Sequence, residues 1–460
     1  MSADHTRHAA EFITGLEYRK IPERAVDAAR GAILDSLGVA LAGSQDSPGM
    51  ICAELAREEG AREEAVLFGQ GFRSSSTMAA FANGTATHAM DFDASFAIMG
   101  QPMAGLTPTV FALAEPLRAN GRQLIEAYVA GFEVTAKLAW SMPDTWSATG
   151  WHATASIGSL GCTVAAAKLL RLNAEQCARA LGIASSMASG SVGNFGTMSK
   201  PLHAGLAARN GVHAARLAKK GFSGSEHMLD GAGGGFHQTF VPGAPPHLEP
   251  LEELGTKWDV ERGMRYKAYP SGGLAHTGID AALALRSQDG VTADAVERIE
   301  VSATRYTASR IIFGIPETEL QAKFSMPYLV ARALVDGEVT PDAFTDEAIR
   351  DPAVIALARK VHMTADPDLD DSPTGGRPCV LTVRLQDGRT LKRRVDYPKG
   401  SPQAPLALAE VEAKFRSCAQ RVLPKQAVEQ ALSMVSSLEG LDDVGRLSAV
   451  LMGSVASATV

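Results

Sequence analysis

Cysteine is scarce in this chain. Five residues, Cys52, Cys162, Cys177, Cys379 and Cys418, are scattered over 460 positions. None forms a CxxC pair or shows zinc-ligand spacing, which excludes a disulfide scaffold and a structural zinc module. An odd, sparse set of thiols fits a reducing cytoplasm. Long apolar runs are also missing: no stretch reaches the ~18 residues that a membrane span requires. The opening Met-Ser-Ala-Asp-His-Thr-Arg-His is polar and has no signal-peptide apolar segment. Positive charge is in short supply, with 44 Lys and Arg against 51 Asp and Glu and a net charge of −7. That balance argues against nucleic-acid binding, which needs a basic track along the phosphates. It leaves room for a small anionic substrate, because a local cationic pocket can outweigh a weak global field.

The familiar catalytic signatures are absent too. There is no GxxxxGK[ST] phosphate loop, no HExxH and no GxSxG elbow. The run Gly231-Ala-Gly-Gly-Gly-Phe236 lacks the third glycine of GxGxxG and follows no strand, so it reads as a flexible loop or an anion-binding nest. The eleven histidines show no metal-ligand spacing, and no metal is expected.

Hydrophobic residues make up 45% and charged residues 21%, enough apolar side chain for a large core and, at this length, roughly two to four domains. Aromatics are only 6%, while Ala and Gly are abundant; such small residues let helices approach closely, which predicts a helix-rich body. Apolar positions recur at three- and four-residue steps over 25–42, 76–88, 106–120, 123–139, 155–170, 174–189 and 204–220, each bounded by Gly, Ser, Asn or Asp. After Trp258 the pattern changes. Val296 to Thr304 alternates with period two, and two apolar runs, 380–385 and 390–395, flank the hairpin signal Asp387-Gly388. Helical patterns are interleaved at 279–285, 325–335 and 346–361. Beyond the Pro-rich bridge 397–405 they return at 408–418 and 425–438. The expected fold is mainly α: a large all-helical domain built from both chain ends (1–261 and 401–460) and an inserted, smaller α+β domain (262–400).

Four segments place ionisable groups among small residues and helix ends. In Asn83-Gly-Thr-Ala-Thr-His-Ala-Met-Asp91-Phe-Asp93-Ala-Ser95, two carboxylates two residues apart suit acid–base work, cation binding or plain helix capping. In Gly150-Trp-His152-Ala-Thr-Ala-Ser156, an imidazole at a helix start is biased toward its neutral form by the amide dipoles; the alternative is a structural His. In Gly196-Thr-Met-Ser-Lys200-Pro-Leu-His203, Pro201 suits a helix opening. Lys200 gains nothing from that dipole and so meets an anion, acts desolvated as a base, or is an ordinary surface lysine. In Tyr266-Lys267-Ala-Tyr269-Pro-Ser-Gly-Gly-Leu-Ala-His276, the lysine sits at the domain boundary, where small-molecule clefts are common, or is a solvated lysine beside a turn. Tyr328, at the start of a helix in the insertion, either donates into a cleft or packs as core.

Taken in order, ILDSLGVALAG, NGTATHAMDFD, GWHATASIGSLG, GTMSKPLHAGLAARNG, KAYPSGGLAH, FSMPYLVARALVDG and YPKGSPQAPLALAEVEAKF resemble the MmgE/PrpD family over nearly the full length. The resemblance implies the helical body, a smaller α+β lid domain, a cleft between them, a homodimer, and reactions beside a carboxylate of a small di- or tricarboxylate without an organic cofactor. The matching site positions are Asp91, His152, Lys200, Lys267 and Tyr328, with Ser95 where Thr is common. Two positions depart from the family pattern. Gln101-Pro102 stands where decarboxylase and dehydratase members carry His-Pro, and Gly272 stands where decarboxylases carry His; His276, four residues on, is a candidate to compensate.

Removing a proton α to a carboxylate requires a positioned base and stabilisation of an enolate-like dianion. The expected roles follow: Lys200 and Lys267 bind substrate carboxylates or hold the enolate charge, His152 and Tyr328 transfer protons with His152 favoured as base, Asp91 orients a neighbour or takes a proton, and Gln101 hydrogen-bonds the substrate. The leading expectation is a 2-methylcitrate dehydratase-like lyase. An epimerase of the iminodisuccinate type and a non-catalytic carboxylate-binding protein are the alternatives.

Overall fold

The computed structural model describes residues 4–96, 99–143, 145–146, 149–230, 234–370 and 376–453. Its secondary structure is mainly helical with small sheets, and the chain divides into two units. A helical unit comprises 1–89, 93–264 and 407–460. An α+β unit comprises 90–92 and 265–406.

Among the described residues, the body of the helical unit is formed by α1 His5–Gly15, α2 Glu23–Gly43, α3 Ser47–Glu58, α4 Ser76–Ala89, α5 Met103–Leu117, α6 Gly121–Ser141, α7 Ala153–Leu169, α8 Ala174–Ser185 and α9 Ser199–Lys219. α1 and α3 were not foreseen from periodicity. α5 starts three residues early and stops at Leu117, where Arg118 turns into the left-handed region. Asn120 and Asn173 close reciprocal capping boxes with Gln123 and Gln176, which fixes the starts of α6 and α8. The only strands described here are β1 Ala65–Val66 and β2 Arg73–Ser74, a short antiparallel pair.

Small residues set the helix spacing. α4, α7 and α9 pack on one another. At Gly84 of α4 an added Cβ would lie 2.9 Å from the Cα of Gly205 in α9, so the two backbones touch. The chain's end returns to this unit: the helix Leu408–Ala419 packs on α2, where a Cβ at Gly38 would meet Phe415 Cα at 3.0 Å. Beside it, Lys414 Nζ pairs with Asp35 Oδ1 at 2.7 Å, with both groups buried. On α6, Glu133 accepts the backbone N–H groups of Asp259 (3.0 Å) and Val260 (2.9 Å), and Lys137 pairs with Asp259 at 2.7 Å. Those contacts anchor the short 3-10 turn Asp259–Arg262. Burial pushes the Glu133 carboxyl up to about 7.

The α+β unit carries a four-stranded sheet in the order β4-β3-β5-β6, with β3 Val296–Ala303, β4 Val361–Ala365, β5 Cys379–Leu385 and β6 Thr390–Val395. β3 and β4 are parallel. β5 and β6 form the expected antiparallel hairpin, with Val383 opposite Leu391. The helices His276–Asp289 and Met326–Asp336 pack on the sheet. The helix expected over 346–361 is a correction. Only Pro352–Ala358 is α-helical, because Pro352 forces a fresh start capped by Asp351, and Val361 already belongs to β4. Of the glycine run, residues 231–233 lie outside the described residues.

Candidate active site

Two clusters contain most of the predicted residues, one in each unit. In the helical unit, His88 closes the last turn of α4, His152 is the N-cap of α7, and Lys200 and His203 stand one turn apart at the start of α9. The close packing of these three helices brings their ends together. Lys200 Nζ lies 3.2 Å from His88 Nε2. His88 Nδ1 lies 3.0 and 3.1 Å from the two carboxylate oxygens of Asp93. The His88 and His152 rings stack at 5.8 Å with 21° between planes, and His152 Nδ1 is 3.0 Å from His203 Nδ1. Phe195 presents its ring to Lys200 Nζ at 5.6 Å and sits edge-on to His152 at 5.0 Å. All five polar side chains are buried.

The loop after α4 is held at both ends. Ala94 N–H donates to Asp35 Oδ2 at 3.0 Å, and Gln101 N–H donates to Thr154 Oγ1 at 3.0 Å. The Gln101 amide donates to Asp93 Oδ1 at 3.4 Å, so the residue expected to meet substrate is joined to the carboxylate cluster. Ser95 is half-buried on the same loop. Burial, with His88 and Lys200 adding to it, pushes the His203 imidazole down to about 4. His203 is therefore neutral at pH 7, and in the His152–His203 contact an N–H of one ring donates to a lone pair of the other.

In the α+β unit, Lys267 Nζ donates to Asp91 Oδ1 at 2.6 Å, to the Asp91 carbonyl at 2.9 Å and to the Ser271 carbonyl at 3.1 Å. Both side chains are buried. Asp91 therefore holds the Lys267 ammonium through both its side chain and its backbone. To receive a substrate carboxylate, Lys267 must exchange one of these three oxygens for it. His276 is fully buried, its ring edge-on to Tyr269 at 5.1 Å, and neither ring nitrogen has a hydrogen-bond partner among the described residues. Burial, assisted by the Lys267 charge, lowers it to about 3. An imidazole so enclosed does not reach solvent in this arrangement.

Tyr328 is the remaining predicted residue of the α+β unit. Its hydroxyl donates to the Ala343 carbonyl and accepts from Arg332 Nε at 3.0 Å, and the ring is fully buried. Burial raises the phenol. In this arrangement the hydroxyl proton is committed to the Ala343 carbonyl.

His88, Asp93 and His203 escaped assignment as site residues in the sequence. His203 was within reach, since positions three apart share a helix face and place it beside Lys200. His88 carries no such signal, whereas Asp93 was already one of the two carboxylates noted at that helix end. As a metal site, His88 and Asp93 fit poorly: the imidazole lies between a carboxylate and an ammonium, which already supplies the local positive charge. Asp230, near His227 and Asp4, spends its carboxylate on the N–H of Thr6 (2.9 Å), its hydroxyl (2.6 Å) and the N–H of His5.

With that geometry in hand, comparison with known proteins places the chain. Residues 7–249 match the MmgE/PrpD N-terminal domain and residues 269–440 match the MmgE/PrpD C-terminal domain. The chain belongs to the MmgE/PrpD family. It is 31% identical over 464 residues to a cis-aconitate decarboxylase of Mus musculus, covering 97% of this chain and 93% of that one. It is 31% identical over 472 residues to a cis-aconitate decarboxylase of Homo sapiens, covering 97% and 94%. It is 25% identical over 450 residues to a 2-methylcitrate dehydratase of Cupriavidus necator, covering 90% and 89%.

Proposed function

We propose that this protein is a lyase of the MmgE/PrpD type that acts on a small di- or tricarboxylate by abstracting a proton α to a carboxylate. The observation that carries this reading is the continuous buried line Asp93–His88–Lys200 with the His152–His203 pair stacked beside it. A buried ammonium near the neutral His203 imidazole can hold the negative charge that develops on an enolate, and the low dielectric strengthens that interaction. The relatives named for cis-aconitate decarboxylation and 2-methylcitrate dehydration support the substrate class.

In this reading His152 is the base. When its Nδ1–H donates to His203, Nε2 carries the lone pair that takes the α proton. Lys200 and Lys267 bind carboxylates or hold the enolate charge, and Asp91 keeps Lys267 in place. The proton steps need no organic cofactor, because the side chains supply them. A second reading, an epimerase at a carbon α to a carboxylate, is favoured by Gln101: an amide cannot protonate a leaving hydroxyl. The same family reading implies a homodimer, which light scattering tests. Five buried thiols, with no disulfide among the described residues, support a cytoplasmic location.

Proton NMR in heavy water with cis-aconitate, 2-methylcitrate and simpler dicarboxylates discriminates the readings. Loss of water or carbon dioxide supports the lyase. Deuterium at the α carbon without other product supports the epimerase. Ligand-induced stabilisation without exchange supports a binding role and sinks both. His152→Ala should lower turnover by ~10²-fold or more with the fold intact; near-normal turnover would remove His152 from the chemistry.

A further inference from the structure

With the Tyr328 hydroxyl committed to Ala343, proton transfer needs a second group besides His152. We propose that Lys200 is that group, and that Asp93 and His88 form the relay that lets it change protonation state. This rests on the reading that Lys200 meets the substrate.

The geometry fixes the direction of the hydrogen bonds. The carboxylate of Asp93 only accepts, so His88 Nδ1 bears the proton it receives at 3.0 and 3.1 Å. His88 Nε2 then carries a lone pair, and the group facing it at 3.2 Å is the Lys200 ammonium. The side chains of both His88 and Asp93 have no exposure, so water does not compete for these bonds. Thus a lysine proton has a defined acceptor, and the resulting imidazolium has a defined counter-ion.

The step is a single proton transfer. An N–H bond at Lys200 Nζ breaks and one at His88 Nε2 forms, leaving a neutral amine, an imidazolium and the Asp93 carboxylate. Net cluster charge is unchanged, which removes most of the cost of neutralising a buried lysine. In this refinement of the reading the amine lone pair takes the proton from the substrate carbon, the C–H electron pair staying on the carbon and its conjugated carboxylate, and His152 returns a proton instead of removing one.

The other groups facing this line are consistent with it. His203, on α9, is neutral at pH 7, and His152, from α7, lies stacked against His88. Phe195 offers only a ring face, and Gln101 adds a neutral N–H to Asp93. Asp91, two residues before Asp93, commits Oδ1 to Lys267. Asp93 is the carboxylate bonded to His88 Nδ1. The dyad positions and charges Lys200; it need not touch substrate.

Two measurements test the relay. The first needs no substrate: nitrogen-15 NMR of the histidine rings, with the His88 signals identified by their loss in His88→Gln. A proton on Nδ1 and a bare Nε2 is expected, and Asp93→Asn should abolish that preference. A proton on Nε2 in the wild type overturns the proposal. The second is the pH profile of turnover of cis-aconitate or 2-methylcitrate. Glutamine at position 88 can accept a hydrogen bond but not a proton, so at pH 7 kcat should fall ~10²-fold with KM within threefold. The deficit should shrink at high pH, where solvent can take the proton that His88 no longer accepts. A pH-independent deficit, or kcat within threefold of wild type while Lys200→Met is dead, overturns the relay alone. An active Lys200→Met overturns the reading of Lys200 itself.

Discussion

Lys267 grips Asp91 twice, through its carboxylate at 2.6 Å and through its own backbone carbonyl at 2.9 Å. Asp91 needs that hold: its φ of +51° lies in the left-handed region, which an L side chain other than Asn or Asp occupies at a cost. The ion pair therefore also pins a strained backbone position, in keeping with the tendency of such strain to sit beside functional groups. Asp91→Asn keeps the left-handed tolerance and loses the charge, leaving a buried ammonium against a neutral amide. Asp91→Ala loses both. Thermal stability should fall in the order wild type, Asn, Ala, with the Asn variant already costing a few kcal/mol, as breaking a buried pair does. Equal stability of the two variants would show that the backbone strain contributes nothing.

Gly84 and Gly205 let α4 bring His88 to within 3.2 Å of Lys200 on α9. In Gly84→Ala two effects compete. Helix propensity favours Ala by up to about 1 kcal/mol. Against it, the new Cβ would meet Gly205 Cα at 2.9 Å, Ala204 O at 3.0 Å and Gly205 N at 3.1 Å, all backbone atoms that cannot swing aside. Overpacking typically costs about 1–3 kcal/mol, so the variant should be less stable and, with α4 and α9 forced apart, less active. Calorimetry showing an unchanged or raised Tm would contradict the close-approach account.

The buried pair Lys414–Asp35 reaches the site through Asp35 Oδ2, which accepts the N–H of Ala94 beside Asp93. Burial raises the Asp35 carboxyl, and Lys414 opposes that shift. Lys414→Met should destabilise the protein by about 3–5 kcal/mol, because it leaves a buried carboxylate without its cation. The double variant Lys414→Met with Asp35→Asn should recover much of that loss. A double-mutant cycle measured by urea unfolding reads the coupling, and simple additivity would mean the two residues do not act as a pair.

Stability should depend on pH with two opposing contributions. His276, His203 and His237 are held near 3, 4 and 4 by burial, against 6.5 unperturbed. These depressed imidazoles bind fewer protons in the folded state, so their contribution is complete above pH 6.5 and is lost as pH falls toward those values. For His276 this is on the order of 4 kcal/mol. Glu133 has the opposite sign: its pKa rises from 4.5 to about 7, so its contribution is present below 4.5 and lost as pH rises through 7, about 3 kcal/mol in all. Between 4.5 and 6.5 the three imidazoles outweigh the one carboxylate, and stability should rise with pH. His276→Leu should flatten that rise, while Glu133→Gln should steepen it and remove the decline near pH 7. Tm measured at pH 4.5 to 8 checks both, and unaltered slopes would refute these assignments.

Much of this architecture can be read from the residues alone. The three- and four-residue periodicity located the long helices within a few positions, since burying one apolar face needs only local spacing. Asp387-Gly388 marked the β5–β6 hairpin because that turn demands residues tolerant of positive φ, and Gly388 has φ of +89°. The strand Val361–Ala365 was missed because a short run after a helix has no distinct period, and its parallel partner β3 is some sixty residues away.

At the site the division is sharper. His152 and Lys200 could be picked out by their places at helix starts, a local property of the chain. The His88–Asp93 bond spans only five residues yet had no sequence signature, because it depends on the path of the loop after α4. The His88–Lys200 and His152–His203 contacts join residues 112 and 51 positions apart and arise only when three helices pack at glycine-set distances. Tyr328 shows the converse: its helix was foreseen, but the direction of its hydroxyl was decided by Ala343 and Arg332, which pack around it. Periodicity and turn chemistry act over a few residues and so are written in the chain. Which nitrogen faces which oxygen depends on ångström-scale packing between distant segments, and that only the tertiary structure decides.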